Sequence, residues 1–129
     1  LTRDPDMWPM EGKTGAARVA LLTKAPVIPV AQWGANEAMP PYAKEKKLRL
    51  FPRKTLRVLA GPPVDLSAYY GKEPTGEVLR EATDVIMKAI TELLAELRGE
   101  PAPAEPYTLK KARAAARHNR GERPQEDSK

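Results

Sequence analysis

Residues 76–98 carry an apolar stripe with helical spacing, and this stripe limits the possible folds more than any other feature of the chain. Six apolar residues recur at intervals of three or four positions: Leu79, Ala82, Ile86, Ile90, Leu93 and Leu97. This period predicts one continuous α-helix with a single buried face. A partner helix could cover that face, but helices more commonly pack on a sheet of their own chain, which is what we expect here.

Both ends and the outer face of this helix are also specified. Thr75 can cap the N-terminus through its hydroxyl, and Glu77 lies in the first turn, where the helix dipole favours a negative charge. Gly99 occupies the C-terminal cap position, and Pro101 prevents the helix from continuing. The outer face carries charges of alternating sign four residues apart: Arg80, Asp84, Lys88 and Glu92.

A shorter helix and an apolar strand are predicted earlier in the chain. Residues 13–24 are rich in Ala and Leu and predict a helix, which ends because Ala25 precedes Pro26. Residues 27–32 predict a strand, although Pro29 lacks the N–H that a strand ladder needs. We therefore expect Pro29 at a bend, or facing a ligand instead of a neighbouring strand.

The other segments complete an α/β pattern. Residues 34–47 predict a loop, and residues 55–60 alternate well enough to predict a second strand, which Gly61 ends. Residues 1–99 are therefore expected to form an α/β fold in which helices flank the sheet on both faces.

The tail, residues 100–129, is predicted to lie outside that fold. Residues 100–106 are a stiff Pro/Ala linker, and residues 107–117 predict a short basic helix. Residues 118–129 have the polar composition of a disordered segment.

The positive charge of the chain is concentrated in residues 44–57, which we name the basic segment. It contains seven Lys/Arg and one Glu, a net charge of +6, whereas the whole chain carries +5. Cations around exposed apolar side chains suit an anionic bilayer surface, where each contributes about 1 kcal/mol. A solvated edge strand protected by lysines is the alternative. The predicted membrane contacts are Lys46, Lys47, Leu48, Arg49, Leu50, Phe51, Arg53 and Lys54.

Catalytic groups are scarce in the sequence. The single histidine, His118, lies in the tail without an acidic partner at a useful spacing, and there is no cysteine. Acid–base catalysis by histidine therefore cannot be assembled from these residues. The sequence shows no Gly-rich phosphate loop and no metal-ligand cluster, and we predict no cofactor.

Two motifs in the first third of the chain carry a family resemblance. Lys13, Gly15 and Ala16 match a Lys-x-Gly-Ala helix opening, and residues 25–30, Ala-Pro-Val-Ile-Pro-Val, match a Val-Pro-Ile-x-Pro-Val block with Ala25 in place of its first valine. With this order and spacing, the run TRDPDMWPMEGKTGAARVALLTKAPVIPVA resembles bacterial 1-acylglycerol-3-phosphate acyltransferases of the glycerolipid acyltransferase family, in the form found in actinobacteria. The resemblance covers about residues 1–98.

The resemblance implies that the chain is the C-terminal portion of such an α/β domain. The family's catalytic His-x-x-x-x-Asp and the Glu-Gly of its phosphate-binding motif would lie upstream, so no catalytic residue is assigned in this chain. Leu1 stands at the usual arginine position of that motif, and Arg3 is the candidate that supplies the charge. Lys13, at a helix N-terminus, is the second candidate for the substrate phosphate. Without the resemblance, both are ordinary solvated cations.

The implied reaction makes phosphatidate. An upstream histidine would deprotonate the free hydroxyl of lysophosphatidate, which attacks an acyl thioester on coenzyme A or acyl carrier protein. The implied location is peripheral, at the cytoplasmic face of the plasma membrane. The resemblance places one block beside the acyl-binding site: Pro26, Val27, Ile28, Pro29 and Val30.

The two tryptophans have both structural and binding interpretations. Trp33, just after the first strand, is expected to fill the core, with an acyl pocket as the alternative. Trp8, with Met7 and Met10, makes an apolar loop that could rest on an acyl chain or a membrane surface.

Two other classes of function stay open. A basic α/β module with a basic tail could bind nucleic acid, although attraction to phosphate is nonspecific, no recognised RNA-binding module is present and no specific nucleic acid is expected. The second open class is a degenerate, non-catalytic paralogue of the enzyme. We expect the 129 residues alone to catalyse no acyl transfer.

Overall fold

The computed structural model describes residues 2, 4–39, 51–108, 110 and 113. The chain is mixed α/β, with two strands that form an antiparallel sheet. In chain order, its elements are α1 (Gly15–Thr23), β1 (Val30–Trp33), α2 (Ala35–Ala38), β2 (Arg57–Ala60), a short 3₁₀ helix (Ser67–Tyr69) and α3 (Gly76–Arg98).

The long helix α3 forms as predicted. Thr75 caps it, because its hydroxyl accepts a hydrogen bond from the Val78 N–H at 3.3 Å. Gly99 closes the other end in the left-handed conformation, with φ at 66°. The charge ladder on the outer face is also confirmed, with i,i+4 contacts of 3.6 Å between Arg80 and Asp84 and 3.9 Å between Lys88 and Glu92.

The apolar stripe of α3 is buried along its length, against two clusters. Leu79, Ala82 and Ile86 are buried, and Ile90, Leu93 and Leu97 pack partly buried against their neighbours. The first cluster joins α3 to α1 and the 3₁₀ region through Ala17, Ala20 and Leu66. The second joins α3 to β1 and the first loop through Trp8, Ala31 and Leu94.

Helix α3 covers one face of the sheet, and the opposite face is exposed. Ala31 is buried and Leu59, its partner in the register, is half-buried, whereas Val30 and Val58 are 51% and 61% exposed. The prediction of helices on both faces is therefore wrong for the described residues. The reason is that α1 packs against α3 and the 3₁₀ region instead of against the sheet.

The strands and α1 are shorter than predicted, and the predicted loop contains α2. Helix α1 ends at Thr23 because Lys24 adopts a left-handed conformation with φ at 56°. Within residues 34–39, hydrogen bonds from the Glu37 N–H to the Gly34 oxygen and from the Met39 N–H to the Ala35 oxygen close the turn of α2. The rest of that predicted loop, residues 40–47, lies outside the described residues.

Pro29 lies at the end of the strand pairing. Its carbonyl accepts a hydrogen bond from the Gly61 N–H at 2.9 Å, and the Val27 carbonyl accepts one from Val64 at 2.8 Å. Continuing the β1–β2 register by one residue places Pro29 opposite Gly61, so the bond that a proline cannot donate falls on this last pair. Pro29 itself is buried beside Gly61 and faces a neighbouring segment.

The linker returns the chain to its first loop. Residues 101–106 are exposed, and Tyr107 then forms a parallel bridge with Met10, with the Tyr107 carbonyl accepting a hydrogen bond from the Glu11 N–H at 3.3 Å. The predicted basic helix over 107–117 is described only in part, and the predicted disorder of 118–129 falls outside the described residues.

The turn before the 3₁₀ helix is stabilised by Asp65, whose carboxylate accepts a hydrogen bond from the Ser67 N–H at 2.9 Å. Hydrogen bonds from the Ser67 hydroxyl and backbone lower the pKa of Asp65. The stabilisation that this turn gains is therefore present at neutral pH and is lost as the pH falls through the lowered pKa.

No helix among the described residues is long and apolar enough to cross a membrane.

Candidate functional site

Lys13 lies directly before α1, where the helix presents unbonded N–H groups. The side chain of Thr14, at the N-cap position, makes no capping hydrogen bond, and the first turn of α1 contains no acidic residue. Lys13 and Gly15 are exposed, and the space around Gly15 is open. The end of α1 therefore combines an exposed cation with the positive end of a helix dipole, which suits an anion.

The block from Pro26 to Val30 faces two directions. Val27 is half-buried against the first core cluster and Pro29 is buried, whereas Pro26 is exposed and Ile28 and Val30 are 48% and 51% exposed. Pro26, Ile28 and Val30 are thus the members of this block whose side chains remain available to a ligand. Arg3, the other predicted phosphate contact, lies outside the described residues.

The first loop is fixed to α3 by Arg80. One guanidinium nitrogen lies 2.8 Å from a carboxylate oxygen of Glu11, and the other donates to the Gly12 carbonyl at 2.6 Å. Gly12 also packs closely on α3, because a Cβ there would lie 2.7 Å from Cγ of Met87 and 2.9 Å from Cγ2 of Thr83. Local sequence patterns do not signal this close approach, since its partners are about seventy residues away in the chain.

Gly12→Ala is expected to lower the free energy of unfolding by about 1–3 kcal/mol, because an added methyl group must displace the side chains of both Met87 and Thr83 on α3. Urea denaturation followed by circular dichroism measures this change. Gly15→Ala is the matched control, because the space around Gly15 is open. We expect this control to leave the free energy of unfolding unchanged or to raise it. Equal midpoints for Gly12→Ala and the parent chain would show that this contact is not close in solution.

Trp8 and Trp33 enclose the guanidinium of Arg98. The Arg98 Cζ atom lies 4.2 Å from the ring centre of Trp8 and 4.3 Å from that of Trp33. Trp8 is buried, so the predicted role of its side chain on an acyl chain or a membrane surface is wrong for this conformation. Trp33 packs against the second core cluster, as the core interpretation expected.

The described end of the basic segment is on the surface. Phe51 is 88% exposed, and Arg53 and Lys54 are also exposed. Such an apolar ring between cations remains compatible with a membrane contact. The other five predicted membrane contacts lie outside the described residues: Lys46, Lys47, Leu48, Arg49 and Leu50.

A groove of about 590 Å³ lies between the first loop, the outer face of α3 and residues 102–108. Met10, Met87 and Pro103 contribute apolar surface to it. Its charged lining residues form ion pairs with one another: Arg80 with Glu11 and Asp84, and Lys88 with Glu92. This combination suits an amphipathic small molecule. Sequence reasoning missed this groove, because a Pro/Ala linker gives no signal that it returns to the first loop.

Among the described residues, no cluster of three His, Cys, Asp or Glu side chains could hold a metal ion. Comparisons with protein-family models, with curated proteins and with solved structures find no match for this chain.

Proposed function

We propose that this chain is the C-terminal portion of a glycerolipid-acyltransferase-type domain, which transfers an acyl group from acyl-coenzyme A or acyl carrier protein to 1-acylglycerol-3-phosphate. The observation that carries the proposal is the position of Lys13 and Gly15. The Lys-x-Gly-Ala motif opens α1 at an exposed end with unbonded N–H groups, and the proline-containing block follows α1 and leads into β1.

The exposed face of the sheet supports the same proposal. Val30 and Val58 lie on the face that α3 does not cover, and each is more than half exposed. Val19 and Leu22 of α1 are also exposed, at 59% and 68%. Apolar side chains on a sheet normally pack against a further layer. In the proposed enzyme, that layer belongs to the part of the domain that holds the catalytic histidine and aspartate.

In this proposal, the chain binds and orients the acceptor. Lys13 and the N–H groups of α1 hold the phosphate of lysophosphatidate, and Arg3 adds a second cation. The upstream histidine takes the proton of the free hydroxyl, the hydroxyl oxygen forms an ester bond with the thioester carbonyl carbon, and the thiolate leaves and is protonated. Ile28 and Val30 offer apolar surface to an acyl chain.

Lys13→Gln tests this role in the full acyltransferase. We expect kcat/KM for 1-acylglycerol-3-phosphate to fall about tenfold, because one charge-assisted contact to the phosphate is lost. The assay follows phosphatidate formation from labelled acyl-coenzyme A. Arg18→Gln is the matched control, since Arg18 is an exposed cation of the same helix, and it should change the rate by less than twofold. Equal effects of the two substitutions would contradict a specific phosphate contact.

We further propose that the basic segment docks this enzyme on anionic membrane at the cytoplasmic face of the plasma membrane. The exposed Phe51, Arg53 and Lys54 support this step. A variant in which five cations become Ser should lose most of its co-sedimentation with anionic vesicles at low salt; the five are Lys46, Lys47, Arg49, Arg53 and Lys54. Unchanged sedimentation would refute the docking role.

A further inference from the structure

A second concave surface, distinct from Lys13 and the groove beside the linker, collects all three described cations of the basic segment. It has a volume of about 330 Å³ and lies between the end of β1, the start of β2 and the last turn of α3. We name it the arginine pocket; its charged lining residues are Glu37, Arg53, Lys54, Arg57 and Arg98.

The fold brings these charges together from three separate regions of the chain. Arg57 is opposite Trp33 in the β1–β2 register, and Arg53 and Lys54 precede β2. Gly34 makes the turn after β1 in direct contact with the backbone at Thr55, which places Glu37 of α2 on the same surface.

The positive charge of the pocket is largely uncompensated. Within the described part of the chain, Arg53, Lys54 and Arg57 have no ion-pair partner, and all three are exposed. Glu37 is the acidic side chain in the lining, and it also has no ion-pair partner among the described residues. Three cations against one carboxylate leave the surface net positive without counting Arg98.

Arg98 gives the pocket a fixed wall. Its guanidinium lies between two indole rings, donates to the Asp6 carbonyl at 2.7 Å and lies 2.6 Å from a carboxylate oxygen of Glu100. Its side chain is only 10% exposed, so no ordering entropy is lost at this position when a ligand binds. Glu100 compensates its charge, which leaves the exposed Arg53, Lys54 and Arg57 to neutralise an anion.

We propose that the arginine pocket binds a phosphate-bearing ligand. Two guanidinium groups and one ammonium group around a concave surface match the several oxygens of a phosphate monoester, because arginine donates two parallel hydrogen bonds to such an anion. The volume is close to the lower limit of small-molecule sites, about 300 Å³. The phosphate could belong to a soluble metabolite or to a lipid headgroup. This site does not depend on the proposed acyl transfer, since it uses none of the residues assigned to that reaction.

The test titrates the 129-residue chain with inorganic phosphate at constant ionic strength, followed by ¹H–¹⁵N NMR at the Trp33 indole N–H. We expect a saturable shift, and at least a tenfold weaker affinity for Arg53→Gln/Arg57→Gln, because two charge-assisted contacts are lost. The charge-matched control, Arg18→Gln/Lys72→Gln, should change the affinity by less than twofold. A linear, unsaturated response, or equal weakening in the control, would overturn the proposal.

A second arm distinguishes the two sources of phosphate. The same proteins are sedimented with neutral phosphatidylcholine vesicles, with and without phosphatidate. If the Arg53/Arg57 variant alone loses binding to phosphatidate vesicles, the pocket binds the phosphate of a lipid headgroup. If vesicle binding is equal for the variant and the control while inorganic phosphate still saturates the parent chain, the site takes a soluble phosphate. Loss of vesicle binding in the Arg53/Arg57 variant without a saturable phosphate response in the parent chain would assign that binding to membrane docking by the basic segment, and it would refute the pocket as a phosphate site.

Discussion

Gly34→Ala is expected to lower the free energy of unfolding by about 2–4 kcal/mol, which would unfold much of the chain at moderate urea concentrations. The backbone at Gly34 has φ at 106°, a conformation that an L side chain rarely adopts. A Cβ at this position would also overlap the Thr55 carbonyl oxygen, which belongs to the backbone and cannot rotate away. The strain and the overlap together require β1 and the segment before β2 to separate.

Gly76→Ala provides the matched control for this prediction. Gly76 begins α3, and a Cβ there meets no atom within 4 Å. Alanine restricts the unfolded chain and favours the helix, so this control should be stabilised by about 0.5–1 kcal/mol. Urea denaturation followed by far-ultraviolet circular dichroism measures both variants. A Gly34→Ala chain as stable as its parent would show that the turn after β1 does not hold Gly34 against the Thr55 backbone in solution.

Arg98→Ala should destabilise the chain by about 2–4 kcal/mol. The substitution removes cation–π contacts with both indole rings and a charge-assisted hydrogen bond to the Asp6 carbonyl. It also leaves a space between Trp8 and Trp33, at the point where the first loop, β1 and α3 meet. Because all three elements depend on this contact, we expect the variant to unfold in a single cooperative transition with a lower free energy of unfolding.

Arg98→Lys separates stacking from charge. Lysine keeps the positive charge but not the planar group that fits between two rings, so we expect it to recover less than half of the lost stability. Arg18→Ala, on the exposed face of α1, is the control and should change stability by less than about 0.5 kcal/mol. Full recovery of stability by lysine would mean that charge alone, without stacking, holds the first loop.

The features that could be predicted from the sequence depend on neighbours in the chain. The Thr75 cap, the Gly99 cap and the charge ladder of α3 are set within one or two helical turns, and all are confirmed. The apolar stripe also indicated correctly which face of α3 is buried. Local periodicity and capping chemistry specify these features without reference to the rest of the fold.

The features that could not be predicted depend on pairs that are distant in the chain. Arg98 and Asp6 are separated by 92 residues, and Arg80 and Glu11 by 69. The sequence around Trp8 predicts an apolar loop on an acyl chain or a membrane surface, whereas Trp33 is expected to fill the core. The contact with Arg98, which lies against both rings, is not signalled by the sequence around either tryptophan.

The candidate sites also divide into features set by neighbouring residues and features set by residues distant in the chain. The Lys-x-Gly-Ala motif correctly predicted a helix opening, because the motif and the helix start are adjacent. The arginine pocket was not predicted, because Arg98 and Arg57 are brought together by the antiparallel register and the packing of α3. The concentration of charge in the basic segment was visible in the sequence, but the concave surface that organises its end was not.

The proposal of acyl transfer is tested most directly by assaying two proteins side by side for phosphatidate formation from 1-acylglycerol-3-phosphate and acyl-coenzyme A. One is the 129-residue chain, and the other is a longer protein that carries, before Leu1, the Glu-Gly-Thr and His-x-x-x-x-Asp motifs that the proposal implies. We predict phosphatidate and free coenzyme A from the longer protein, none after its motif histidine is changed to Ala, and none from the 129 residues alone. A folded longer protein that forms no phosphatidate, or activity in the 129-residue chain, would contradict the proposal.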